Sequence, residues 1–218
     1  EYGRRIASIP RLLATALSSY FETPRDKGMF EAMQRLAAAL PTGLFDNAAI
    51  GEYLTRLLST LGRTNDFREL RRKLYIVATD LDNGEAIPFG APGWDHVPIA
   101  QAVQASAALP GLYPPVEIEG RHYVDGALRK TLHASVALEQ GVRLLLCVNP
   151  LVPFDADLAG RRQTGSELVD GGLPVVLSQT FRSIIHSRMK VGMERYRRDY
   201  PDADVLLFEL ARDDRQMF

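Results

Sequence analysis

The sequence predicts an α/β fold, a three-layer α/β/α sandwich with a mostly parallel central sheet. Helical segments separate the strand candidates along the chain, and two of these strands, residues 74–79 and 143–148, are apolar over nearly their whole length. Continuous apolar runs are typical of strands that helices cover on both faces of a sheet. The chain has 218 residues, of which 46% are hydrophobic, enough for the core of one large domain.

The first third of the chain has helical periodicity. Apolar residues at helical spacing predict an amphipathic helix over residues 2–20 and further helices between residues 28 and 61, with a break at residues 41–43. The helix over residues 2–20 is basic in its first half. It therefore has two interpretations, a surface helix packed by one face or a helix that lies on a membrane.

Turn residues predict two hairpins in the middle of the chain. The strand over residues 74–79 leads through Asp82-Asn83-Gly84 into a return strand over residues 85–89. Apolar and polar residues alternate over 116–124 around Glu119-Gly120, which predicts the second hairpin. Between them, residues 98–108 predict a helix that begins with proline in its first turn.

The last part of the chain predicts helix, strand, helix and strand. A helix over residues 132–140 stops at Gly141, the strand over 143–148 follows, and residues 149–173 form a loop rich in Pro, Gly and Asp. The longest helix covers residues 174–198, and a final strand covers 205–208. The long helix combines an apolar stripe with six basic residues, so it either packs against the core or lies on an anionic bilayer.

Composition excludes several classes of protein. Lys and Arg total 26 and Asp and Glu total 27, a balance that argues against nucleic acid as a partner. The single cysteine, Cys147, allows no internal disulfide and lies in an apolar strand, where we expect an inert core thiol. The histidines lack the spacing of a zinc site, and no apolar run approaches the roughly 20 residues that cross a bilayer.

Few residues carry a catalytic pattern. The phosphate-binding glycine motifs are absent, and no serine has the glycine two places before it that a Gly-x-Ser-x-Gly nucleophile elbow requires. Asp125 stands out because it lies where an apolar strand meets a glycine, although Asp-Gly is also common in turns and helix caps. We interpret Asp80 and Asp82 as turn residues, and His133 and His186 as surface or capping histidines without an obvious carboxylate partner.

Three stretches together resemble the catalytic domain of the patatin-like phospholipases, especially bacterial ones. They are Val77–Glu85, the segment Gln104–Val116 that contains Ala-Ser-Ala-Ala-Leu-Pro, and Tyr123–Ala127 with its Asp-Gly-Ala box. The resemblance covers roughly residues 44–150. It implies an α/β/α sandwich that hydrolyses lipid acyl esters with a Ser-Asp dyad and no histidine. The resemblance places the catalytic aspartate at Asp125, followed by Gly126 and Ala127 of the active-site motif.

Two parts of the family pattern are not found in this chain. The Gly-rich oxyanion loop and the Gly-x-Ser-x-Gly elbow belong upstream of the first matching stretch, so we expect that an N-terminal segment was cut off, was disordered or was left out. After the box, the family often has Asn and Pro, whereas this chain has residues 128–133 of sequence Leu-Arg-Lys-Thr-Leu-His. We predict one domain over 1–218, with a helical region at 1–43, the catalytic region at 44–150, and the loop, long helix and strand at 151–218.

Three functional hypotheses follow. In the first, the protein hydrolyses lipid acyl esters through an acyl-enzyme, with Asp125 as the base, and this chain alone is inactive. In the second, it is a degenerate relative that binds lipid or a protein partner. In the third, it uses another nucleophile such as Ser106. For the first we expect a lipid or phospholipid substrate, peripheral membrane contact or a cytoplasmic location, no nucleic acid, and neither cofactor nor metal.

Overall fold

Two β-sheets organise the residues that the computed structural model describes, which are Gly43, residues 45–155, Asp170 and residues 172–211. Four strands form the first sheet and two form the second. The helices predicted over residues 2–20 and 28–40 lie outside the described residues.

Two hairpins build the four-stranded sheet, and both confirm the predictions from turn chemistry. Strands β1 (Ile76–Asp80) and β2 (Ala86–Phe89) form one hairpin, and β3 (Val116–Ile118) and β4 (Arg121–Asp125) form the other. In the second turn both central residues have positive φ, 53° at Glu119 and 77° at Gly120, as a two-residue hairpin with a type I′ turn requires. Pairing of β1 with β4 joins the hairpins in the order β2-β1-β4-β3.

The prediction of a mostly parallel central sheet is wrong for these four strands, because all their pairings are antiparallel. The error came from the apolar run over residues 74–79. This run is buried at its end because β1 lies between two strands and beneath a helix, and such burial does not depend on the direction of the neighbouring strands. The coarser prediction of a mixed α/β fold agrees with the structure.

A short helix packs directly on the four-stranded sheet, and a second helix packs on the first. The outer helix is α1 (Ala48–Leu58), which packs on α2 (Ile99–Ser106), and α2 packs on both β1 and β4. The buried face of α2 consists largely of alanine, which allows the helix to approach the strands closely. Aromatic rings fill the remaining space, with the Phe89 and Tyr123 centroids 5.3 Å apart in an edge-to-face arrangement.

The second sheet is a parallel pair of strands, β5 (Leu144–Asn149) and β6 (Asp204–Glu209). One face packs on helices α3 (Ala134–Leu138) and α4 (Gly172–Asp199), and Cys147 is buried there as predicted, with burial raising the pKa of its thiol. The expectation that this strand is buried on both faces is wrong for the described residues. The opposite face leaves Leu144 59% exposed and Val148 71% exposed.

Helix α4 buries one stripe of its surface and exposes the rest. Ile185, Met189, Met193 and Tyr196 are spaced by three or four residues and are buried, whereas Ile184 is exposed. The stripe therefore packs in the core, and membrane contact by the exposed face stays a prediction. Among the described residues, we find no helix with both the length and the apolar character needed to cross a bilayer.

Asp80 supports the hairpin from inside the protein, which differs from its interpretation as a simple turn residue. Its side chain is fully buried, accepts a hydrogen bond from the Asp82 amide at 2.9 Å and lies 2.8 Å from the Arg121 guanidinium. Asp82 is exposed in the turn, as predicted.

We expect Asp80→Ala to lower the free energy of unfolding by about 3 kcal/mol, because it leaves the turn without its acceptor and Arg121 without its partner. Urea denaturation followed by circular dichroism measures this loss. The matched control, Asp82→Ala, removes an exposed carboxylate from the same turn and should cost less than about 1 kcal/mol. Equal losses for the two variants would contradict this role for Asp80.

Candidate active site around Asp125

Asp125 ends strand β4, and hydrogen bonds on both sides hold its backbone. The Asp125 amide donates to the Ala108 carbonyl just beyond α2, at 3.0 Å. The Thr79 hydroxyl, on β1, donates to the Asp125 carbonyl at 3.2 Å. The residue is therefore fixed where the central strand pair meets the end of the helix.

The Asp125 carboxylate is half-buried and caps the turn that follows it. Its Oδ1 accepts a hydrogen bond from the Ala127 amide at 2.8 Å, at the start of a 3₁₀ turn over Gly126–Leu128. Burial raises the pKa of Asp125, while the Ala127 hydrogen bond acts in the opposite direction. With one oxygen in the cap, Oδ2 has no hydrogen-bond partner among the described residues and is able to accept a proton.

Gly126 is the residue that allows this turn to lie against β1. A Cβ atom at this position would stand 2.3 Å from the carbonyl oxygen of Val77. Real Cβ atoms do not approach a carbonyl oxygen this closely, so any side chain would push the turn away from the strand. The second residue of the Asp-Gly-Ala box is thus required by packing, and Ala127 supplies the capping amide.

The three stretches that the sequence analysis singled out meet at this point. Val77 lies on β1 beside Gly126, and its carbonyl oxygen also accepts a hydrogen bond from the Ser106 hydroxyl at 2.7 Å. Ser106 ends α2, two residues before the Ala108 carbonyl that binds the Asp125 amide. The Ser106 hydroxyl therefore joins helix to strand, and its proton is directed at a backbone carbonyl.

His133 reaches the same turn from the start of α3. Its Nε2 lies 3.0 Å from the Gly126 carbonyl oxygen, and its side chain makes no capping hydrogen bond to α3. Burial lowers the pKa of His133. The expectation of a surface or capping histidine missed this contact, since an irregular loop separates the two residues in sequence and no periodic pattern reports its path.

His186 lies on α4, where its Nδ1 is 3.2 Å from Glu209 Oε1 on β6. The interpretation of His186 as a histidine without a carboxylate partner is therefore wrong. The pair joins two elements that are distant in sequence, so spacing alone could not reveal it.

A cavity of about 770 Å³ lies between the loop after Asp125 and helix α4. Its wall combines apolar Leu128 and Leu132 with basic Arg129 and Lys130, and it extends to Thr79, which bonds the Asp125 backbone. Apolar and cationic groups in one concavity suit an amphiphilic ligand. Within the described ranges, no three His, Cys, Asp or Glu side chains gather as metal ligands would.

Comparison with known protein families gives a match for this chain. The family model described as patatin-like phospholipase matches residues 6–138, more than half of the chain and a range that begins upstream of the resemblance seen in the sequence. The matched range contains β1 to β4, the Asp-Gly-Ala box and α3. The chain belongs to the patatin-like phospholipase family, and this membership supports a lipid hydrolase function in general.

We expect Gly126→Ala to lower the free energy of unfolding by about 1–3 kcal/mol, because the new methyl group meets backbone that cannot easily move. Gly192→Ala is the matched control, since Gly192 lies within α4 with no atom within 4 Å of the added Cβ. The control should be stabilising by up to about 1 kcal/mol, given the higher helix propensity of alanine. Denaturation curves that place both variants on the same side of the parent protein would refute the close approach.

Proposed function

We propose that this protein hydrolyses acyl ester bonds of membrane lipids with a Ser-Asp dyad in which Asp125 is the base. The observation that carries the proposal is the state of the Asp125 carboxylate. It is half-buried at the end of β4, its pKa is raised, and one oxygen is without a hydrogen-bond partner in the described part of the chain. This carboxylate belongs to a chain whose family supports lipid hydrolysis in general.

The chemistry requires a base that can take a proton from a serine hydroxyl. An ordinary aspartate, with a pKa near 3.8, is a weak base, and burial strengthens it by disfavouring the charged form. Asp125 Oδ2 accepts the serine proton while the serine oxygen attacks the ester carbonyl. The same proton then passes to the leaving alcohol, and an acyl-enzyme remains.

Deacylation repeats these steps with water as the nucleophile. Asp125 accepts a proton from the attacking water, the acyl bond to serine breaks, and the proton returns to the serine oxygen as the fatty acid leaves. Backbone N–H groups would stabilise the negative charge on the carbonyl oxygen in both halves of the reaction.

The nucleophile of this proposal is not among the 218 residues. No serine in them has the flanking glycines of a Gly-x-Ser-x-Gly elbow, and the Ser106 hydroxyl is directed at Val77. We therefore assign the serine and the oxyanion loop to a segment outside these residues and expect the 218-residue chain by itself to be inactive.

The substrate class rests on the family and on the cavity beside the turn. Its apolar wall suits an acyl chain, and Arg129 and Lys130 suit the phosphate of a phospholipid. Such a substrate resides in a bilayer, so we propose peripheral contact with a membrane.

In the complete natural protein, we expect Asp125→Asn to lower kcat for phospholipid hydrolysis by at least about 100-fold, because the general base is lost. The amide oxygen still accepts the Ala127 hydrogen bond, so the fold should remain. Release of fatty acid from phospholipid vesicles measures the turnover. Turnover close to that of the parent would eliminate Asp125 as the base, and a complete protein without turnover would favour a relative that binds lipid or a protein partner.

We also expect Asp125→Asn to change the free energy of unfolding in a way that depends on pH. Because the folded-state pKa of Asp125 is raised, ionised Asp125 costs stability at pH 7, and Asp125→Asn should raise the free energy of unfolding there. This advantage should decrease as the pH falls through the raised folded-state pKa of Asp125 and disappear below the ordinary value of 3.8, where the parent carboxyl is protonated in both states.

Asp66→Asn is the matched control, since Asp66 also caps a 3₁₀ turn but has its pKa lowered to about 2 by Arg68. Its stabilising effect is present above the ordinary pKa of 3.8 and is lost as the pH falls towards about 2. Asp66→Asn should therefore be destabilising or neutral at pH 7. Thermal unfolding at pH 7 compares the two variants, and a stabilising Asp66→Asn with a destabilising Asp125→Asn would contradict both assignments.

A further inference from the structure

We propose that His133 is the positioning residue of the Asp125 turn, and that it acts by holding the Gly126 carbonyl so that the Ala127 amide points at the Asp125 carboxylate. This inference rests on the proposed function, since it assigns His133 a role in the work of Asp125 as a base. In the described part of the chain, His133 bonds to the Gly126 carbonyl and makes no hydrogen bond to the Asp125 carboxylate.

The argument begins with one planar peptide group. The Gly126 carbonyl and the Ala127 N–H are the two ends of the same peptide unit, and this unit does not twist. His133 Nε2 lies 3.0 Å from the carbonyl end, and Asp125 Oδ1 lies 2.8 Å from the nitrogen at the other end. A bond that fixes the carbonyl therefore also fixes the direction of the N–H bond.

The chemistry of the contact defines the tautomer of His133. A carbonyl oxygen only accepts hydrogen bonds, so Nε2 must carry the hydrogen. The bond polarises the peptide group and makes the Ala127 N–H a stronger donor to the carboxylate. The chain of contacts thus extends from the imidazole through the peptide to Asp125.

Hydrogen bonds from helix α4 hold the loop that carries His133. Arg188 of α4 donates from its two terminal nitrogens to the carbonyls of residues 128 and 129, at 2.5 and 2.7 Å. The Tyr196 hydroxyl donates to the Leu132 carbonyl, the residue before His133, at 2.5 Å. The long helix therefore braces the loop on which His133 is carried.

Close packing on the other side prevents the turn from moving away from the imidazole. Gly126 lies against the Val77 carbonyl, where not even a Cβ atom has room, and the Gly126 carbonyl also accepts the amides of Arg129 and Lys130 at 3.1 and 3.4 Å. The Arg129 amide closes the 3₁₀ turn, and both amides belong to residues that directly follow the turn in the chain. Among the described residues, His133 makes the one side-chain hydrogen bond to the Gly126 carbonyl.

The test uses the complete natural protein and three variants. His133→Phe keeps a flat ring and removes the donor, whereas His133→Gln offers an N–H donor in place of Nε2. His122→Phe is the matched control, since His122 lies on β4 with an exposed side chain. Hydrogen exchange of the Ala127 amide reports the turn directly, and kcat, KM and the pH profile of phospholipid hydrolysis report its effect on Asp125.

For His133→Phe, we expect the Ala127 amide to exchange about tenfold faster and kcat to fall about 10- to 100-fold, with KM within about twofold of the parent. His133→Gln should bring the Ala127 exchange rate and kcat most of the way back to the parent values. His122→Phe should leave both at the parent values. Loss of the oriented Ala127 donor raises the pKa of Asp125, so the acidic limb of the pH profile should move to higher pH.

Two results would overturn the inference. One is Ala127 exchange in His133→Phe equal to that of the parent. The other is an acidic limb that moves to lower pH in His133→Phe and stays there in His133→Gln. This is the result expected if the substitution merely opens the turn to water, since water lowers the pKa that burial had raised. Failure of the proposed function is a separate result, because it would appear as near-normal turnover in Asp125→Asn or as a complete protein without turnover. Ala127 exchange tests the His133 contact without any reference to activity.

Discussion

The close approach of Gly126 to the Val77 carbonyl is the constraint on which the rest of the site depends. It fixes the end of β4 against β1 at a distance that only glycine permits. The same carbonyl accepts the Ser106 hydroxyl, which attaches the end of α2 to β1, and the Ala108 carbonyl two residues later receives the Asp125 amide. Helix, strand and turn therefore share one small region of backbone, and the Asp125 carboxylate projects from it.

Three aspartates of this chain show how the surroundings set the role of a carboxylate. Asp66 is partly exposed, and Arg68 lowers its pKa to about 2. Asp80 is fully buried and lies against Arg121. Asp125 is half-buried with its pKa raised and no guanidinium among its contacts in the described residues. A carboxylate held in this less satisfied state is the one suited to accept and return a proton.

Much of the local structure could be predicted because it depends on neighbouring residues. The Asp82-Asn83-Gly84 and Glu119-Gly120 turns set both hairpins, and the apolar stripe of α4 set the longest helix, which the structure extends to Gly172–Asp199. Asp125 could also be singled out from the sequence, because a glycine follows it directly at the end of an apolar strand. Family resemblance added what a single Asp-Gly pair cannot show.

The remaining features depend on contacts between distant segments. An apolar run predicts a buried strand but not the direction of its neighbours, so the antiparallel pairing of β1 with β4 was missed. The same reasoning failed for β5, whose Leu144 and Val148 are exposed on one face of the described structure. The contact of His133 with Gly126 and that of His186 with Glu209 cross a loop and a long helix, and neither leaves a periodic trace in the sequence.

The most direct test of the central claim is fluorophosphonate labelling of the complete natural protein and of its Asp125→Asn variant, with the modified peptide located by mass spectrometry. The probe reacts with an activated serine, so it reports the nucleophile and its dependence on the base together. We expect one adduct on a serine outside the 218 residues, within a Gly-x-Ser-x-Gly segment, and its loss in Asp125→Asn. An adduct on Ser106, or labelling that persists in full without the Asp125 carboxylate, would contradict the account.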